Sequence, residues 1–232
     1  MPPPSAAEAC RKKSSFYLRR FGDVAPMSSE EYLARIRTKR DGSTSSSGSG
    51  SSSGNGESPS MVLVDARSAA EMEVSIIPGA VPLCEFEHDI VRTLRQSVVV
   101  VVYCTIGYRS GMEARRLGET YGLRGRVRNL DGIVSYTFAV GDSSDESMHL
   151  VKPDTGERTS AVHTFGPTWN CVHPNFETFH FNAPELALRS AAVGLVSALR
   201  FTQHLHYKTR QCCDCTGNGS GKQSTQVVTC RN

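Results

Sequence analysis

Long apolar runs and a strong charge bias are both missing from this chain of 232 residues. No stretch approaches the ~18 apolar residues that a membrane-spanning helix needs. The opening residues Met1, Pro2, Pro3, Pro4 and Ser5 supply no apolar signal-peptide core. Neither membrane insertion nor secretion is expected. The formal net charge is +3 with scattered basic residues, so the balance makes no case for nucleic acid or an anionic membrane as partner. Metal-binding spacing is lacking too. Cys10, Cys84 and Cys171 stand singly and read as buried or incidental thiols. His204, His206, Cys212, Cys213, Cys215 and Cys230 cluster near the end but fit no four-ligand module, so no metal site and no other cofactor is expected. Eight cysteines without a secretory leader suggest the cytoplasm. The stretch to Arg20, basic and Ser-containing with the single acid Glu8, keeps a mitochondrion or plastid as the alternative.

At this length the chain holds one folded core with extensions. Residues 1–27 read as a flexible N-terminal segment. Residues 28–41 read as a helix, with Tyr32, Leu33 and Ile36 as its apolar stripe. Residues 42–60, almost wholly Ser and Gly, cannot bury enough apolar surface to order themselves and read as a disordered insert. The core spans 61–141 and alternates β, α, β, α, β: a strand at Met61–Val64, a turn opened by Ser68 and Glu71, a strand after Ile77, a helix from Phe86 to Arg95, the valine run Val98–Val102, a helix to Tyr121 and a strand at Val127–Leu130. This predicts an α/β fold, a central parallel sheet flanked by helices on both faces, with ligands bound beyond the carboxyl ends of the strands. Residues 142–182 read as an acidic loop and a packing arm that includes the lone Trp169 as a core residue. Residues 183–232 read as a helix followed by a disordered Cys-containing tail.

The chemistry falls at the end of the valine strand. Cys104 heads a tight loop of Thr105, Ile106, Gly107, Tyr108 and Arg109, and a helix follows, with Ser110 and Glu113 spaced as a capping box. Backbone N–H groups of such a loop, with the positive end of the helix, favour a thiolate at Cys104 and any small anion held there. Gly107 lets the chain turn without a Cβ in the cradle. Arg109 either binds a donor's anionic group or braces the loop. It lies five positions after Cys104, one fewer than in phosphatase loops of the Cys-x5-Arg kind.

Cys104, Gly107, Arg109 and Ser110 after a Val-rich strand, with Val62 to Arg67 and Ile77 to Ala80 upstream, resemble the single-domain rhodaneses. The resemblance implies a sulfurtransferase in which Cys104 takes the outer sulfur of a small donor such as thiosulfate, becomes a persulfide and passes it to a thiol, to cyanide or to a protein acceptor. It also implies pairing of Arg67 with Glu71. A non-catalytic interaction module on the same fold is the alternative, and a small phosphatase or arsenate reductase a third, disfavoured by loop length. Ile76, Asp131 and Tyr136 depart from the family's usual His, Gly and Trp. A carboxylate of Asp131 at the mouth of the loop would repel thiosulfate and favour a less charged donor.

Overall fold

The computed structural model describes residues 5–44, 60–90 and 98–214, with side chains omitted for 41–44 and 200–214. The chain divides into Met1–Val193, which holds the sheet and the loop, and Gly194–Asn232. The valine-rich runs Val62–Val64 and Val99–Val102 become strands. β1 (Ala25–Met27), β2 (Met61–Asp65), β3 (Ala80–Pro82), β4 (Val99–Tyr103) and β5 (Val127–Leu130) form one sheet in the order β1-β5-β4-β2-β3, every pair parallel. The uncharged β4 lies at its centre because both of its faces are covered. Val100 and Val102 pack into a cluster with Phe86, Leu117 and Leu123, while Val101 and Tyr103 enter the opposite one with Leu33, Leu130 and Ile133.

The helices follow from the connections. α2 (Ser29–Thr44), α3 (Ala69–Met72), α4 (Leu83–His88), α5 (Tyr108–Thr120) and α6 (Ile133–Val140) lie between or after the strands. α4 begins three residues before the expected Phe86, since Pro82 fixes the chain at its N-terminus. Its predicted continuation beyond residue 90 lies outside the described residues, as do residues 45–59 of the Ser/Gly insert and the tail from 215. Among the described residues no helix is long and apolar enough to cross a membrane, and no cluster of His, Cys, Asp and Glu could hold a metal ion.

The N-terminal segment is a correction to the flexible arm expected there. Residues Ala6–Arg20 form helix α1, capped by the Ser5 side chain, which accepts from the Glu8 amide at 3.2 Å. Cys10, Ser14, Tyr17 and Phe21 recur at helical spacing, and this stripe packs on α5 and α6. Gly111 admits it, because a Cβ there would lie 2.2 Å from the Phe21 ring. After α6 the chain is no simple loop either. Met148, His149 and Leu150 are buried around a 3-10 turn at Glu146–Met148, and Val151 bridges back to Ile76. β6 (Ala161–His163) and β7 (Glu177–Phe179) pair in parallel within the arm, where Trp169 is partly buried. The last helix, α7, runs from Ala183 to Asp214.

Gly132 shows how tightly the sheet edge is joined to the cysteine loop. Its φ is +103°, and a Cβ would fall 2.5 Å from the Thr105 carbonyl oxygen. Gly132→Ala therefore combines backbone strain with a clash against main chain. We expect it to cost at least about 2 kcal/mol of unfolding free energy, read by urea denaturation.

Candidate active site

β4 delivers Cys104 to the carboxyl edge of the sheet, and the loop after it is held from three sides. The Ile133 amide donates to the Cys104 carbonyl at 2.9 Å and the Val134 amide to that of Thr105 at 3.2 Å, so the start of α6 anchors the near side. Gly107, with φ +93°, is the N-cap of α5 and turns its own amide onto the Cys104 sulfur at 3.2 Å. Helix α5 thus starts two residues before the capping box expected at Ser110. Ser110 lies inside it, with its Oγ 3.4 Å from the Cys104 sulfur and 2.7 Å from Asn129 Oδ1. Asn129, on β5, also donates from Nδ2 to the Gly107 carbonyl at 2.9 Å. That donation orients the amide and leaves its oxygen for the Ser110 hydroxyl. Sequence reading missed Asn129 because a polar residue in a short strand carries no local signal of what it faces.

Arg109 resolves as a brace. Its two terminal nitrogens each lie 2.6 Å from an oxygen of Glu71, and Nη2 also donates to Thr105 Oγ1 at 2.9 Å. Thr105 in turn donates to Glu71 Oε1 at 3.1 Å. The Glu71 carboxylate is wholly buried and also accepts from the Ser68 amide and hydroxyl, a capping box at the turn that these two residues open. Burial alone would raise its pKa, but Arg109, with Arg67 and Ser68, carries it down from 4.5 to about 2. The expected pair of Arg67 with Glu71 is therefore corrected. Arg67 forks onto Asp65 at 2.6 to 3.1 Å, its Nη2 donates to the Ser75 carbonyl at 2.6 Å, and the Tyr103 hydroxyl donates to Asp65 at 2.5 Å. Asp65 and Arg67 are only two residues apart, so the end of β2 folds the guanidinium onto its own strand.

Asp131 is a further correction. Its carboxylate turns to the start of α2, accepting from Ser29 Oγ at 2.5 Å, and not onto the cysteine loop. Burial raises its pKa from 3.8 to about 7, against the Ser29 bonds.

Around this loop the residues named from the sequence are brought together: Cys104, Thr105 and Ile106 are buried and Tyr108 half-buried. Two segments close over them. From α1, Leu18 lies 3.4 Å from where a Gly107 Cβ would stand, Tyr17 meets the Tyr108 ring edge-on at 5.4 Å, and the Arg20 guanidinium lies 5.7 Å from that ring. From the arm, Phe165 lies under Arg109 at 4.9 Å, and Trp169 meets Tyr17 at 5.6 Å. Cys104 is left 1% exposed. A cavity of about 380 Å³ lies elsewhere, lined by Tyr32, Met61, Pro78 and Tyr136, and touches none of the loop residues.

Residues 53–135 match the family model described as Rhodanese-like domain, a span that excludes α1 and the arm. Among solved structures, the thiosulfate sulfurtransferase from Pseudomonas aeruginosa is similar at 16% identity and a TM-score of 0.41, covering 66% of this chain, which spans only 24% of that one. The BH2092 protein from Bacillus halodurans is similar at 18% identity and a TM-score of 0.33, covering 54% of this chain and 79% of its own. No curated protein matches.

The lowered Glu71 pKa sets a pH dependence. A depressed acid stabilises the fold fully above its unfolded value, so this contribution holds above pH 4.5 and is lost as pH falls through about 2. Glu71→Gln leaves Arg109 without its carboxylate; a loss of about 3 kcal/mol and a flatter acid limb are expected in urea titrations at several pH values. Asp131 has the opposite sign: its raised pKa gives stability that is complete below 3.8 and lost as pH rises through about 7. Asp131→Asn should remove that decline, read as the melting temperature across the same range.

Proposed function

We propose, from the match of residues 53–135 to the rhodanese-like domain model, that this protein is a sulfurtransferase working through Cys104. The thiolate attacks the outer sulfur of a donor, forming a sulfur–sulfur bond as the donor's own bond breaks; thiosulfate would leave as sulfite with the bonding pair. The terminal sulfur of the Cys104 persulfide is then attacked by cyanide, a thiol or a protein acceptor, and the cysteine leaves as thiolate. The Gly107 amide, 3.2 Å from the sulfur, is the group placed to stabilise the charge in both halves. Thr105, Ile106 and Tyr108 complete the loop that binds the donor. No metal or cofactor takes part in either step.

The observation that carries this reading is the bidentate pairing of Arg109 with Glu71. A phosphatase needs its loop arginine to clasp the phosphoryl oxygens. Here that guanidinium is committed to a buried carboxylate, and the groups on the sulfur are the neutral Gly107 amide and Ser110 hydroxyl, which suits a sulfur chain.

The burial of Cys104 favours a second reading, an interaction module in which the loop is structural. Mass spectrometry separates the two. After exposure to thiosulfate or a low-molecular-weight persulfide, Cys104 should gain about 32 Da, releasable by cyanide as thiocyanate and lost in Cys104→Ser. Absence of the added sulfur with both donors would leave the interaction module.

A further inference from the structure

Helix α1 is fastened differently at its two ends. Just past its C-terminus Phe21 is buried against Gly111, with the Arg115 guanidinium 5.1 Å from the ring. Arg115 also donates from Nε to Asp23 at 2.7 Å, and the chain then enters the sheet as β1. A buried ring, an ion pair and a strand hold that end. Further back the attachments are few and lie near the surface. Lys13 donates to the Thr168 carbonyl and stands 5.5 Å over the Trp169 ring, and Tyr17 meets the same ring edge-on at 5.6 Å. Within Ala6–Arg20 the buried residues are the small Cys10 and Ser14, so little apolar area holds the helix down.

Between the two fastenings lies the cysteine loop. Leu18 stands 3.4 Å from where a Gly107 Cβ would be, and the Gly107 amide is itself 3.2 Å from the Cys104 sulfur. Tyr17 and Phe21 both meet the Tyr108 ring, at 5.4 and 5.8 Å. Under this cover Cys104 is 1% exposed, so the closed molecule admits neither a sulfur donor nor an acceptor. Access to the thiol requires some element to move. The sheet and the Glu71–Arg109 brace cannot yield without undoing the loop, whereas α1 can.

We propose that α1 is a gate on Cys104, pivoting at Phe21–Asp23 and latched shut where Lys13 and Tyr17 meet the turn at Thr168 and Trp169. The latch consists of one hydrogen bond, one cation–π contact and one aromatic pair, each weak by itself. A helix with so small a buried face owes its order to docking, so releasing the latch frees α1 while the sheet stays folded. Leu18 then leaves Gly107, and the sulfur is uncovered together with the amide that serves it. The gate governs access to the thiol and does not depend on whether Cys104 transfers sulfur.

The test uses the full chain under native conditions and reads the rate at which iodoacetamide labels Cys104, by peptide mass spectrometry, with the exposed Cys84 as reagent control. Lys13→Ala, Trp169→Ala and Leu18→Ala should each raise the Cys104 rate about tenfold and leave Cys84 unchanged. Phe86→Leu lies on α4, which packs on β2 and β3, and weakens the core away from α1; its Cys104 rate should stay within about twofold of the parent. In hydrogen exchange the α1 amides should open before those of β4. Cys104 rates unchanged in all three α1 and arm variants, or α1 amides protected as strongly as those of β4, would overturn the gate. An equal rise in Phe86→Leu would assign the labelling to global unfolding and overturn it as well. A protein that labels as expected but gains no sulfur from either donor would overturn the sulfurtransferase reading alone.

Discussion

Everything at the carboxyl edge of the sheet hangs on the bond between Arg109 and Glu71. One partner begins the helix after the loop, the other closes the short turn after β2, and neither lies on a strand. The pair therefore fixes two connections to each other where no backbone ladder can. Thr105 joins it through its hydroxyl, so the loop's second residue is tied to the same carboxylate. Charges taken out of water in this way are costly unless every lone pair is met. Here the carboxylate accepts from Arg109, Thr105 and Ser68, and satisfaction of all of them at once leaves one geometry for the loop.

A second buried ion pair, Asp65 with Arg67, performs the same task one strand along. Tyr103 connects the two regions. Its ring fills the core at the end of β4, its hydroxyl donates to Asp65 and accepts from the Ile77 amide, and the next residue is Cys104. The position of the sulfur is thus inherited from side chains facing away from it. Asn129 completes the arrangement on the other flank, holding the Gly107 carbonyl and the Ser110 hydroxyl from β5.

The parallel sheet and the Cys104 loop were legible because their signals are local: the valine run, the glycine at a left-handed position and the serine that caps α3 each act within a few residues. Partner choice was not. Arg67 has carboxylates two and four residues away, Asp65 and Glu71, and only the fold of the chain after β2 decides between them. Asp131 follows the same logic, since its partner Ser29 lies on a helix far away in sequence. The ordered α1 was missed for another reason. Its stripe of Cys10, Ser14, Tyr17 and Phe21 is weakly apolar among basic residues, so it gains its helix from burial against α5 and α6 and not from its own composition.

The pairing of β1 with β5, Ala25 opposite Arg128, carries a consequence for how the chain comes off the ribosome. The first strand made has no partner until the last strand of the sheet has emerged, and α1 waits for α5, α6 and the arm around Cys171. α1 and β1 are therefore synthesised before the elements they pack on and can dock only after them. Only a chain completed through the arm can seat them both.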